Sequence, residues 1–100
     1  MEIVTKHEGS TDTIAVFGKL TVTSAPKLEE AVAALGPCAC DVVFDLAALE
    51  YIASAGLRVL VGTQLKLGET GGKLRILHPN DEVMEVFEMT GLVDVLTIER

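Results

Sequence analysis

A chain of 100 residues that is 49% hydrophobic and 23% charged can bury one core without metal or disulfide staples, and it is too apolar to belong among disordered sequences. Its formal net charge of −7 at pH 7 argues against a nucleic-acid backbone or an anionic bilayer surface as partner, because both reward clustered Lys and Arg. No apolar run reaches the roughly 20 residues of a membrane span, since Arg58, Gln64 and Lys66 interrupt the longest candidate, and the N-terminus lacks the three regions of a signal peptide, so a cytoplasmic protein is expected.

Ile3 to His7 alternates weakly and Thr11 to Leu20 strongly. Thr13, Ala15 and Phe17 stand against Ile14, Val16 and Gly18, and Glu8-Gly9-Ser10 between the two runs predicts a β-hairpin. Ser24-Ala25-Pro26 offers an N-cap and a first-turn proline, and Leu28, Val32 and Leu35 then recur at helical spacing until Gly36-Pro37, which predicts a short amphipathic helix. Asp41 to Leu46 is almost continuously apolar and of strand length, the pattern of a central strand covered on both faces. From Ser54 to near Leu67 the positions Leu57, Leu60, Val61, Gln64 and Leu65 predict a second helix with one polar slip at Gln64, and Gly68 to Gly72 stop it. Lys73 to Leu77 reads as a strand. Asn80-Asp81-Glu82 opens a third helix with acids in its first turn, its inward stripe being Val83, Val86, Phe87 and Thr90 before Gly91. Val93 to Glu99 returns to strand. The order β-β-α-β-α-β-α-β predicts one α/β domain over residues 1–100, a single layer of mixed, mostly parallel sheet with helices packed against it.

Catalytic and metal chemistry find little support. Cys38 and Cys40 are the only cysteines, and with His7 and His78 far off in sequence they read as free thiols rather than metal ligands. Ser54-Ala55-Gly56 matches the second half of a G-x-S-x-G nucleophile elbow, but Ile52 stands where the first glycine is needed. A Ser, acid, His order would have to recruit Glu69 from the far end of the helix, with His78. Gly68 to Lys73 misses the spacing of a phosphate loop and precedes a strand. Glu29-Glu30 and Asp81, Glu82, Glu85 and Glu88 read as solvated helix faces, and the two histidines as strand-end side chains. No catalytic residue, cofactor or metal is expected.

One joint stands out. Between two apolar stretches, Leu49 to Leu60 passes through Ala53, Ser54, Ala55 and Gly56. Helix N-capping explains a lone serine there. The missing bulk around it points elsewhere, to a hydroxyl open to a partner that approaches the backbone closely. A phosphoryl group on that oxygen adds a charge of about −1.5 to −2 at the positive end of a helix, which alters docking rather than folding.

The stretch VVFDLAALEYIASAGLRVLVG, Val42 to Gly62, resembles the central signature of STAS domains, the family of bacterial anti-sigma factor antagonists. The resemblance continues through AVFGKLTVTSAPKLEEAV upstream and LRILHPNDEVMEVFEMTGLVDVLTI downstream. It implies a STAS-like fold and phosphorylation of Ser54 by a partner anti-sigma factor that is itself a serine kinase, with only the bare form binding that partner and freeing the sigma factor. It also implies a partner surface made by the loop Thr21-Val22-Thr23-Ser24, by Ala53, Ala55 and Gly56 beside the serine, and by Leu57, Arg58 and Val61 of the second helix. Two departures from the family pattern stand next to that serine: Ala53 holds the place of an acid, and Gly18-Lys19-Leu20 is followed by Thr21 where an acid is usual. Both removed carboxylates could orient a kinase or its magnesium. A STAS accessory subunit resting on the ATPase of a membrane transport system, without a phosphorylation switch, is the competing reading. The closing helix of many family members has no counterpart before Arg100, which leaves part of a sheet face bare and favours a homodimer.

Overall fold

The computed structural model describes residues 2–35, 41–69 and 71–99; Cys38 and Cys40 lie outside them. Strands β1 (Glu2–Glu8) and β2 (Thr11–Leu20) form the expected antiparallel hairpin. Helix α1 (Ala25–Ala33), β3 (Asp41–Asp45), β4 (Leu49–Ile52), α2 (Ser54–Glu69), β5 (Lys73–Leu77), α3 (Asp81–Met89), a single 3-10 turn (Leu92–Asp94) and β6 (Thr97–Glu99) follow. The sheet runs β1-β2-β3-β5-β6, parallel everywhere except the hairpin.

Parallel register builds the core in rows. Ile14, Phe44, Ile76 and Ile98 stand side by side across four strands, and the first three are wholly buried. Each such side chain contributes on the order of 1.5–3 kcal/mol of hydrophobic stabilisation. Val42, Val43 and Phe44 are all buried, as a central strand requires.

Four expectations need correction. Strand β4 was not foreseen: only Leu49 and Ile52 of its four residues are buried, because a register shift against Gly18 and Lys19 breaks the alternation that would reveal a strand. The tail is strand only at Thr97–Glu99; Gly91 takes a left-handed backbone and starts the 3-10 turn instead. In α2 the buried face includes Val59, Thr63 and Leu67, whereas Leu65 is 68% exposed. The Thr63 hydroxyl makes its burial tolerable by donating to the Val59 carbonyl at 2.8 Å. In α3, Met84 joins Val83 and Phe87 inside, and Thr90 is exposed with its hydroxyl donating back to Val86 at 2.8 Å.

Gln64, the polar slip of α2, ties the helix to the segment after α3 by donating to the Val95 carbonyl at 2.5 Å. Asn80 has a comparable double role. Its side-chain oxygen caps α3 by accepting from Val83 N–H at 2.8 Å, and its amide donates to the Leu49 carbonyl of β4 at 3.0 Å. Replacing Asn80 by Ala removes both, so urea unfolding should show a loss of about 1–2 kcal/mol, with Asn80→Asp, which keeps the cap alone, falling between it and the parent.

Candidate functional site

The corner containing Ser54 is built where β2 and β4 end together. Leu20 pairs with Ile52, and Ala53 N–H donates to the Leu20 carbonyl at 2.8 Å. The Ala53 carbonyl then accepts from Gly56 and Leu57 at 2.9 and 3.1 Å, so Ala53 holds the N-cap position and Ser54 is the first residue of α2. Capping therefore does not occupy the serine. Ser54 is exposed, and its hydroxyl makes no hydrogen bond to any described residue.

The small residues around it serve two purposes. A Cβ on Gly56 would lie 2.6 Å from Leu20 Cγ and 2.9 Å from Ile52 Cγ1; glycine is required there because the first turn of α2 rests directly on the strand ends. Ala53 and Ala55 are half-buried and add little bulk beside Ser54.

The β2–α1 loop lies next to this corner because it leaves β2 at Leu20, the residue bonded to Ala53. Ser24 is at the N-cap position of α1 but makes no side-chain cap. Its hydroxyl turns back into the loop, accepting from Thr21 N–H at 2.8 Å and donating to the Lys19 carbonyl at 3.0 Å. Thr21 N–H and carbonyl are both used, the latter by Ser24 and Ala25 N–H. Thr21 and Ser24 thus hold the loop, while Val22 and Thr23 at its tip face solvent.

On α2 the structure separates residues that the sequence grouped. Gly56 and Leu57 are buried, Leu57 at 6% exposure, and pack inward. Arg58 is exposed and Val61 half-buried. Ser54, Arg58, Gly62 and Lys66 recur every fourth residue and are all exposed, so they form one stripe along the helix. The last three line a shallow groove of ≈180 Å³ against Glu29, Val32 and Ala33 of α1.

Two exposed apolar side chains belong to the segments that meet at the corner: Val22, inside the loop already singled out, and Tyr51, which sequence reasoning missed. Val22 is 74% and Tyr51 44% exposed, the one at the loop tip and the other in β4 next to Lys19. Tyr51 was missed because the strand that carries it, β4, was not expected.

Chemistry other than docking is poorly served. Glu69 ends α2, about 22 Å of helix from Ser54, so it cannot complete a relay with the serine. His7 sits opposite Asp12 in the hairpin, Nδ1 to Oδ1 2.6 Å. His78 follows β5 with its N–H bonded to the Glu99 carbonyl. Among the described residues no group of three or more His, Cys, Asp or Glu side chains could hold a metal ion, and no helix is long and apolar enough to cross a membrane.

Residues 2–100 match the STAS domain family. The chain is 32% identical over 85 residues to an anti-sigma-B factor antagonist of Bacillus subtilis (strain 168), covering 85% of this chain and 78% of that one. Among solved structures it is similar to a putative anti-sigma factor antagonist of Thermotoga maritima, with a TM-score of 0.89 at 20% identity and coverage of 96% of this chain and 84% of that one. It is also similar to the phosphorylated form of the Bacillus cell fate determinant SpoIIAA, with a TM-score of 0.78 at 17% identity and coverage of 99% and 92%. The strand and helix order is that of STAS folds.

The corner's geometry separates two serine and glycine variants. Gly56→Ala must push Leu20 and Ile52 aside and should cost about 1–3 kcal/mol in urea unfolding. Ser54→Ala removes no hydrogen bond and should stay within about 0.5 kcal/mol of the parent.

Proposed function

The chain belongs to the STAS domain family, and on that premise we propose that it is an anti-sigma factor antagonist: it binds an anti-sigma factor serine kinase while Ser54 is bare and lets it go once Ser54 is phosphorylated. The observation that carries this reading is the exposed Ser54 hydroxyl, free of any hydrogen bond to the described residues and held at a corner fixed by the Ala53–Leu20 bond. The names of the curated relatives support it, as does a structural relative that exists in a phosphorylated form.

In the switching step the Ser54 oxygen attacks the γ-phosphorus of ATP bound to the kinase. A new P–O bond forms at Ser54, the bond to the β-phosphate oxygen breaks, ADP leaves, and the hydroxyl proton passes to a base on the kinase or to water. This chain supplies only the acceptor oxygen. With Ala53 and Thr21 in place of acids, the kinase must bring every carboxylate that positions magnesium. The phosphoryl group breaks no native hydrogen bond among the described residues, so folding is retained. What changes is the surface, where about two negative charges would stand at the exposed start of α2, one helical turn from Arg58. The protein acts in the cytoplasm, as a binding module and not as an enzyme.

Incubation with the cognate anti-sigma kinase and ATP should add one phosphate, located on Ser54 by mass spectrometry. Ser54→Asp should weaken binding of that partner by ~30-fold or more, about 2 kcal/mol, while Ser54→Ala binds like the parent. No phosphate and an unchanged Ser54→Asp affinity would favour the transporter-accessory reading.

A further inference from the structure

Arg58 follows Ser54 by four residues on α2, which places the two side chains one above the other, about 5–6 Å apart at Cβ. The guanidinium is exposed and makes no ion pair with any described residue. Glu29 lines the same groove from α1, and Lys66 lies two turns further along α2, yet neither Glu29 nor any other described carboxylate is within salt-bridge reach of Arg58. On a chain with a net charge of −7, an arginine left uncommitted beside a phosphorylatable hydroxyl has two mutually exclusive uses. It can face a partner's carboxylate, or it can fold back onto a phosphate.

We infer that Arg58 is the residue through which the state of Ser54 is transmitted to the α1–α2 groove. With Ser54 bare, the guanidinium stands at the head of the groove and takes an acidic side chain of the partner. With Ser54 phosphorylated, the phosphate oxygens capture it in a charge-assisted pair one helical turn long. The anion then lies N-terminal to the cation, the favourable order at this spacing. Guanidinium geometry suits a phosphate fork, which an ammonium does not match. Phosphorylation thus acts twice: it adds repulsive charge at the corner, and it withdraws a cation from the docking surface. This rests on the reading of Ser54 as the phosphorylated residue.

The test has two arms. In the first, phosphoserine is installed at position 54 during translation, so no kinase is involved, and its second ionisation is followed by phosphorus NMR. The parent should titrate below the ordinary value of about 6. Arg58→Gln should titrate about half a unit higher, and Arg58→Lys between the two. Equal values in the parent and Arg58→Gln would overturn the capture. In the second arm the unphosphorylated Arg58→Gln chain is titrated with the anti-sigma factor; a loss of roughly tenfold in affinity is expected, and an unchanged affinity overturns Arg58's part in docking. Failure of any kinase to modify Ser54 would sink the functional reading and leave the first arm's result standing.

Discussion

The site depends on the contact between Gly56 and the ends of β2 and β4. With no side chain at that position, the first turn of α2 settles onto Leu20 and Ile52, and the Ala53–Leu20 hydrogen bond locks the approach. Three consequences follow from this one packing. Ala53 becomes the helix cap, Ser54 moves one residue into the helix with its hydroxyl unengaged, and the β2–α1 loop is brought alongside. A bulkier residue at 56 would lift the helix and separate the serine from the loop, since close-packed interiors transmit rather than absorb an extra methyl group.

Two other hydroxyls carry structural duties that Ser54 lacks. Ser24 is tied to two backbone groups within its loop, and Thr63, further along α2, is buried with its proton given to Val59. Modifying either would break native bonds, and burying a phosphate beside Thr63 would carry the far larger cost of a desolvated charge. Ser54 holds no such structural duty. A domain whose stability is typically only 5–15 kcal/mol could therefore carry the proposed modification at this residue without approaching its unfolding threshold.

Most of the architecture was legible because the strands and helices keep clean periods. Ile14 and Val16 alternate against Thr13 and Ala15, and Val83 and Phe87 mark the inner side of α3. The failures share a cause in tertiary context. β4 is hidden by its register shift, which leaves Glu50 and Tyr51 exposed between two buried residues. In α2, Leu65 fits the helical spacing but lies outside because Thr63, satisfied by its own helix backbone, takes an inner place. The site was half legible. The composition of Ala53 to Gly56 drew attention to the corner, but the same letters could not divide it into a packing glycine, a capping backbone and an open serine, because that division depends on Leu20, which the fold brings from elsewhere in the chain to join Ile52 under the helix.

Charge distribution favours the proposed single modification as a switch on a molecule already carrying −7. At physiological ionic strength the field of a distant surface charge fades over about 8 Å, so most of the carboxylates on the outer sides of α1 and α3 scarcely reach the corner. There the nearby sequence offers Lys19 and Arg58, with no carboxylate from Ala53 to Leu57 or Thr21 to Ala25. About two negative charges placed on Ser54 would cancel those two local positive charges while changing the molecule's total only modestly. The absence of acids from Ala53 to Leu57 and Thr21 to Ala25 leaves the bare corner net positive, so in the proposed switch a phosphate would turn a surface that attracts an acidic partner into one that does not.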